Sequence, residues 1–358
     1  MTSASRPSLR TYAAAVMIGR FQPFHEGHLR LLRQALAAAP LCVLVIGSAH
    51  QARTPKNPFT WQERAQMIRL AVPEADRARL LFLPVRDYYD EVRWTAKVRQ
   101  GVGDLLASQG LGAAAAVALV GHFKDASSEY LRGFPGWVLV NAEPLPGVDA
   151  TTLRDALFGA GGNLDVALAA LVSLAPQTTV DFLRAWAVQS FFPGIVEEWR
   201  MLGRYRQAWA QSPHPPVFVT ADVVLRCAGL VLLIRRGHAP GKGLSAVPGG
   251  FIEPRETVYQ SAVRELREET HINLLDLSLR QCLKEVAVFD HPDRSQRGRT
   301  ITHAHYFDLG PRNLPEVKAG DDAEAVEWVA IDRLASMEDR FHDDHFHMLD
   351  HFLGLTGD

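Results

Sequence analysis

Ala13-Ala-Ala-Val-Met-Ile-Gly19 runs straight into Arg20-Phe-Gln-Pro-Phe-His-Glu-Gly-His28. The apolar run before the glycine reads as a strand, placed at 12–21, and the amphipathic stretch 25–39 reads as a helix. A second apolar run, 41–49, is the next strand. The alternation continues with a helix over 60–72 opened by the capping box Thr60-x-x-Glu63, a strand over 80–85, a helix over 91–106, and strands over 113–120 and 136–141. Strands alternating with helices predict an α/β fold with a mostly parallel sheet covered on both faces. Its ligand loops should lie at the carboxyl ends of the strands, after Ile18, Ile46, Val85 and Val120.

Working outward, the pattern changes after about Ala175 to a helical, aromatic-rich segment over 180–209 that ends in Gln211-Ser-Pro-His-Pro-Pro216. That Pro-rich stretch reads as a linker. From Val217 the apolar runs are β-rich, at 217–225, 230–234, 282–289, 300–309 and 325–330, around one polar helix at 257–270. This half is α+β. The expected division is therefore a first domain over 1–179, a helical segment and linker over 180–216, and a second domain over 217–358.

Composition narrows the function classes. With 38 Lys+Arg against 40 Asp+Glu in 358 residues, the chain lacks the cationic excess that binding to a nucleic-acid backbone needs. Cys42, Cys227 and Cys282 are the three cysteines, with no Cys-x-x-Cys spacing, which argues against a disulfide framework or a zinc knuckle and fits a reducing compartment. The apolar run 13–18 is far shorter than the ~20 residues of a membrane span, and the polar opening 1–10 does not resemble a signal peptide. The expectation is a cytoplasmic protein with no membrane partner.

The stretch from Gly19 to His28 joins a strand to a helix, where free backbone N–H groups and the helix dipole favour an anion. His25 and His28, three residues apart, project to one side of the first turn, and Gly19 and Gly27 leave room for a nucleotide. Polyphosphate is the ligand that suits them; the alternative is an ordinary loop with one capping histidine. Gly19-Arg-Phe-Gln-Pro-Phe-His-x-Gly-His28 resembles the phosphate-binding signature of the nucleotidyltransferase superfamily, in the form found in archaeal-type nicotinamide mononucleotide (NMN) adenylyltransferases. Val148-Asp-Ala-Thr-Thr-Leu-Arg154 is similar to that superfamily's late Ser/Thr-rich segment, with Asp149 standing where the family usually has Ser. Asn57-Pro-Phe-Thr-x-x-Glu-Arg64 and Gly121-His-Phe-Lys-Asp125 also look like family segments.

The resemblance implies a Rossmann-like domain that transfers an adenylyl group from ATP to NMN, giving NAD and pyrophosphate. It implies catalytic roles for His25, His28 and Arg154, and ATP or NMN contacts from Gly19, Arg20, Phe21, Asp87, Lys124, Thr151 and Thr152. Lys124 reads equally as a solvated loop residue. Trp94 resembles the family's nicotinamide-stacking Trp, with a core aromatic as the other reading.

In the second half, Gly250-Phe-Ile-Glu-Pro-Arg-Glu256 precedes Arg264-Glu-Leu-Arg-Glu-Glu269. On a helix Glu265, Glu268 and Glu269 crowd one face, and a hard divalent cation such as Mg2+ or Mn2+ would relieve their repulsion. Val258, Ala262 and Leu266 supply the buried stripe. The alternative is a solvated charged helix. The full spacing, Gly-x5-Glu-x7-Arg-Glu-Leu-x-Glu-Glu, resembles the Nudix box, with His271 where the box has Gly. The resemblance implies an α/β/α Nudix sandwich in which Glu265, Glu268 and Glu269 hold the metal, Glu265 and Glu269 being catalytic, braced by an Arg264–Glu256 ion pair.

Residues 289–303 resemble the arginine-rich segment of ADP-ribose pyrophosphatases, which implies that Arg294 and Arg299 bind ADP-ribose and that the products are AMP and ribose 5-phosphate. Glu324 and Glu327 are candidates for the general base. His342, His345 and His347 read as a surface helix rich in histidine rather than as a metal site. The two resemblances stand in the order of the bifunctional NMN adenylyltransferase/Nudix hydrolases. Two other readings stay open: a Nudix domain that only senses a ligand, because of His271, and a Nudix-related regulator. The second is opposed by the intact acids, the lack of a basic helix and the expectation of no further domain after residue 358. A homo-oligomer is an open possibility.

Overall fold

The computed structural model describes residues 12–112, 114–121, 131–143, 145–160, 163–320 and 322–357. Lys124, with the rest of 122–130, lies outside the described residues. The chain forms two compact units that divide between Val196 and Glu197.

In the first unit, β1 (Ala14–Gly19) is followed by α1 (Glu26–Ala38), β2 (Leu41–Ile46), α2 (Trp61–Leu70), the single turn α3 (Glu74–Arg77), β3 (Leu80–Pro84), α4 (Glu91–Ser108), β4 (Val117–Gly121) and β5 (Val138–Asn141). The strands pair in the order β3-β2-β1-β4-β5, all parallel. The order reverses at β1, so the crevice for a ligand opens beyond the carboxyl ends of β1 and β4. Val98, Val102 and Leu106, one turn apart on α4, pack against Val16, Val45 and Leu119 of the sheet. Four more helices complete the segment: α5 (Ala150–Gly159), α6 (Leu164–Leu171), α7 (Gln177–Trp186) and α8 (Phe192–Trp209). The stretch 180–209, read as one helical segment, is thus two helices, and the boundary between units falls inside α8.

The second unit holds β6 (Val217–Cys227), β7 (Leu230–Arg236), β8 (Ser245–Ala246), β9 (Gly249–Phe251), α9 (Val258–Thr270), α10 (Asp276–Cys282), β10 (Leu283–Phe289), β11 (Arg299–Asp308), β12 (Ala323–Ala330), α11 (Ile331–Leu334) and α12 (His345–Leu353). Its main sheet runs β10-β11-β6-β7-β12, with β8 paired to β7 and β9 to β6. Only β11 and β6 pair in parallel among the named strands of this sheet. Alternation along β6 divides the apolar residues between two faces. Val223 and Leu225 pack with Ala262 and Leu266 of α9, and Val224 packs with Met348 and Leu349 of α12. The short pieces β8 and β9 were not separable from loop by periodicity, because two or three residues do not make a repeat.

One corrected expectation concerns Phe341-His-Asp-Asp-His345. The histidines do not lie on a surface helix: His342 and His345 are buried, because this segment straps across the end of β8. The His342 N–H donates to the Ser245 carbonyl at 2.9 Å, and His345 Nδ1 accepts from the Val247 N–H at 3.1 Å.

A buried arginine holds the first unit's loops together. Arg64 on α2 is fully buried, and its guanidinium donates to the carbonyls of Arg20 and Gly47 at 2.7 Å each, of Ser48 at 3.0 Å and of Thr60 at 3.2 Å. Burial pushes its pKa down to about 10, still well above neutrality. Arg64→Met should keep the volume but strand the three carbonyls of the β1 and β2 loops, at about 1–3 kcal/mol each. Urea unfolding of the first unit should show the loss, at least about 3 kcal/mol; an unchanged midpoint would mean that the loops hold themselves.

Candidate active sites

The first site grows from the turn after β1. Phe21 takes a left-handed backbone, φ 54°, and folds its ring beneath the loop, where it is 1% exposed. A side chain at Gly19 would meet that ring at 3.0 Å, so Gly19 is required by Phe21 rather than only by a nucleotide. His25 caps α1: its Nδ1 accepts from the His28 N–H at 3.3 Å, while His28 Nδ1 accepts from the His25 N–H at 3.4 Å. The rings stack with centroids 3.6 Å apart. Since both Nδ1 atoms accept, each ring carries its proton on Nε2 and presents that N–H as a donor. His28 is also enclosed by Phe21 and Phe24. Burial, and then the neighbouring His25, hold its pKa well below the ordinary imidazole range, so it donates as a neutral ring at pH 7. Gly27 lies against the His25 ring, at 3.1 Å from a Cβ placed there, and so also serves the stack.

Arg154 reaches this turn from α5. Its Nη1 donates to the Gln22 carbonyl at 2.6 Å and its Nη2 to Thr151 Oγ1 at 3.0 Å. Burial and the nearby charge of Arg20 push its pKa down to about 10, so Arg154 stays cationic at neutral pH. Asp149 caps α5, accepting from the Thr151 and Thr152 N–H groups at 2.9 and 3.0 Å. A carboxylate thus caps these amides with a negative charge that a Ser hydroxyl would not bring. Asp87 accepts from the Ser48 N–H and Oγ–H at 3.1 and 2.7 Å and from Gln51 Nε2 at 2.8 Å, tying the loops after β3 and β2 together. Trp94 packs with the α4 core, edge-on to Phe134. The loop therefore brings His25, His28, Arg20 and Arg154 together, while Phe21 contributes from below.

The second site surrounds the Gly249-Gly250 step. Glu269 Oε2 accepts from the Gly249 N–H at 2.9 Å. A Cβ on Gly249 would fall 2.2 Å from Asp222 Oδ1, and one on Gly250 would fall 2.5 Å from Glu265 Oε1. Two carboxylates therefore crowd the two glycines, and at Gly249 the Ala221 carbonyl oxygen, 2.7 Å from the same Cβ, also leaves no room for a side chain. Burial pushes the pKa of Glu269 up to about 8, opposed by the Gly249 bond and reinforced by the charge of Glu265. Burial raises Glu265 and Asp222 as well. Glu268 is on the rim, 56% exposed. Arg264 braces the group, with Nε on Glu256 at 3.0 Å and Nη1 on Glu265 and Glu268 at 2.8 and 2.9 Å. His271 takes the left-handed C-cap position of α9, φ 47°, and its N–H donates to the Arg267 carbonyl, so the helix ends as it would with Gly.

As the side chains stand, no three described His, Cys, Asp or Glu residues converge on one point that could hold an ion. The donor set nevertheless fits a hard divalent cation, because Glu265 and Glu269 are oxygen donors whose burial disfavours their charged forms, and Glu268 adjoins them. Asp222 was missed by sequence reading, although a lone acid within the apolar run 217–225 is its signal; Thr302 Oγ1 donates to it.

The arginines of 290–299 divide. Arg294, 5% exposed, forms a two-pronged ion pair with the fully buried Asp344, both bonds 2.8 Å. Arg299 donates to the Asp290 carbonyl. Glu324 and Glu327 are exposed on β12.

Comparison with known proteins follows the same division. The family model for the cytidylyltransferase-like fold matches residues 16–101, and that for the NUDIX domain matches 216–352. The nicotinamide/nicotinic acid mononucleotide adenylyltransferase of Acinetobacter baylyi is 34% identical over 186 residues, 52% of this chain and 92% of that protein. The ADP-ribose pyrophosphatase of Methanocaldococcus jannaschii is 37% identical over 124 residues, 35% of this chain and 67% of that one. The crystal structure of a bifunctional NMN adenylyltransferase/ADP ribose pyrophosphatase from Francisella tularensis, complexed with AMP and a Mn ion, superposes with a TM-score of 0.85 at 32% identity. It covers 96% of this chain and 99% of that one. No helix among the described residues is long and apolar enough to cross a membrane.

The pKa of Glu269 has a consequence for stability. The folded carboxyl keeps its proton up to about pH 8, whereas in the unfolded chain it ionises near ~4.3. Between these values the folded state binds more protons, so stability should fall as pH rises through that window when divalent ions are absent. Urea midpoints of metal-stripped protein should decline from about pH 4.5 to about pH 8, and Glu269→Gln should flatten the decline. A midpoint that rises over the window would contradict the placement of this carboxyl.

Proposed function

Because the chain belongs to the family of bifunctional NMN adenylyltransferase/ADP-ribose pyrophosphatases, we propose that His25, His28, Arg20 and Arg154 serve adenylyl transfer and that Glu265, Glu268 and Glu269 serve diphosphate hydrolysis. The chain is a bifunctional enzyme of NAD metabolism. The observation that carries the residue assignment is the sign of the charge each fold leaves unbalanced: cations and N–H donors beyond β1 in the first unit, carboxylates beside β9 in the second.

In the first site, a phosphate oxygen of NMN attacks the α-phosphorus of ATP, a P–O bond forms as the bond to the β-phosphate breaks, and pyrophosphate leaves. No covalent enzyme intermediate is required. The Nε2–H groups of His25 and His28 and the guanidinium groups of Arg20 and Arg154 bind and orient the triphosphate and meet the charge that grows on the leaving group. Arg154 is held beside the histidines by its bond to the Gln22 carbonyl.

In the second site, Glu265, Glu268 and Glu269 would hold a divalent cation, Mg2+ or Mn2+, which when bound supplies the positive charge that activates water and neutralises the diphosphate. Arg264 holds Glu265 and Glu268 in place from the side, and the Gly249 N–H orients Glu269. Water attacks one phosphorus of ADP-ribose, the bridging P–O bond breaks, and AMP and ribose 5-phosphate result. ATP, NMN and ADP-ribose are thus the small-molecule substrates. The three free cysteines accord with a cytoplasmic setting.

His28→Ala should lower NAD formation by about 10²-fold or more, the scale for removing one transition-state donor. It should leave ADP-ribose hydrolysis within about two-fold. Glu269→Gln should do the reverse, cutting AMP release by about 100-fold at low metal while NAD formation persists. Chromatography of the products from both variants tests this, and loss of both activities in either variant would sink the assignment of separate sites.

A further inference from the structure

Arg236 ends β7, and the 237–243 loop folds back on it. The Arg236 N–H donates to the Leu244 carbonyl at 2.9 Å, the Gly243 N–H donates to the Arg236 carbonyl at 2.8 Å, and Arg236 Nε donates to the Pro240 carbonyl at 2.9 Å. One edge of the guanidinium is thus fixed by its own loop. Its two terminal NH2 groups have no acceptor among the described residues, and both keep contact with solvent. Arg264, Arg294 and Arg299 differ, since each ends in carboxylate or carbonyl bonds. Resting on the hydrolase reading of the second site, we propose that Arg236 grips the substrate's diphosphate through these two NH2 groups, and that Glu198 on α8 is the positioning residue that sets it.

Connectivity and charge place Arg236 at the acids. The segment Leu244–Gly249 is bonded to Arg236 at one end and to Glu269 at the other, and β8 within it pairs with β7. Burial, and then the charge of Arg297, hold the pKa of Arg236 below the ordinary guanidinium range, while Asp343, Glu269 and Asp222 oppose them. Arg236 therefore stands in the field of the carboxyl that the Gly249 N–H orients. With Glu265 and Glu269 turned to a divalent cation, their charge no longer balances the arginine, and a diphosphate does. Two donors held in one plane match two oxygens of a phosphate, which a lysine in the same place would not.

Glu198 acts at one remove. Its Oε2 accepts from the Gly241 N–H at 3.1 Å, one residue beyond the carbonyl that fixes Arg236 Nε. His342 closes in on the same residue: a Cβ on Gly241 would fall 2.3 Å from His342 Nδ1. Gly241 has φ 74°, the left-handed conformation that glycine adopts at no cost. The loop is clasped by Glu198 and the 341–345 strap, and its hold on Arg236 depends on that clasp.

Steady-state hydrolysis of ADP-ribose by the full chain with Mg2+ tests both residues. Arg236→Gln should raise KM by about 10-fold or more, the scale of charged hydrogen bonds to a phosphate, and Arg236→Lys should recover only part of it. The inhibition constant of AMP or of ribose 5-phosphate should rise with KM, which identifies the phosphate held. Urea midpoints and NAD formation should stay near the wild-type values. Glu198→Ala should raise KM by about three-fold or more alone and add nothing in the Arg236→Gln background. Glu198→Gln, whose side-chain carbonyl still accepts from Gly241, should behave as wild type. An unchanged KM in Arg236→Gln, a KM that rises only in step with a falling midpoint, or a Glu198→Ala effect that is absent or multiplies with that of Arg236→Gln would overturn the proposal while leaving the hydrolase reading intact. A wild-type chain that releases no AMP would overturn that reading and the proposal with it.

Discussion

Glu269 is a carboxylate held at 6% exposure beside two others, Glu265 and Asp222, with a backbone N–H of Gly249 as its bonded donor. Such a group either keeps its proton or acquires a cation, and the second unit is organised around that choice. At Gly249 the Asp222 carboxylate and the Ala221 carbonyl leave no room for a side chain, and the Glu265 carboxylate crowds Gly250. α9 presents the acids because its other face is apolar, with Ala262 and Leu266 docked on β6. The first unit states the same constraint with the sign reversed. The charge of Arg20 adds to the cost of keeping Arg154 charged, and an anionic triphosphate lowers that cost.

Charges that the fold balances internally behave differently. The Arg294–Asp344 pair is buried, two-pronged and closed to solvent, so it locks the 290–299 loop to the 341–345 strap. Arg64 finds four carbonyls and fixes the two loops that must face the substrate. Removing such a group would cost stability first and activity second. A charge the fold has already paired positions a loop, as Arg294 does in holding 290–299 to Asp344.

Much of this was legible in the chain before folding is considered. The five strands of the first sheet were readable from apolar runs, because a parallel strand buried on both faces has no alternation to confuse. The acids of α9 stood out because helical spacing puts them together. His271 was visible as a departure, and its left-handed backbone is the conformation that position demands. What could not be read depended on distant partners. His342 and His345 look solvated until the β8 strand meets them, Arg294 looks like a substrate ligand until Asp344 meets it, and Asp222 gains meaning only when Gly249 folds against it.

The central claim is that one chain carries two sites of opposite charge that make and break different phosphate linkages. A 31P NMR time course of the full-length protein with ATP, NMN, ADP-ribose and Mg2+ tests it most directly. The account predicts that resonances of NAD and pyrophosphate grow from ATP and NMN while those of AMP and ribose 5-phosphate grow from ADP-ribose, in one tube. ADP-ribose that stays intact while NAD accumulates, or NMN that stays intact while ADP-ribose is cleaved, would contradict it.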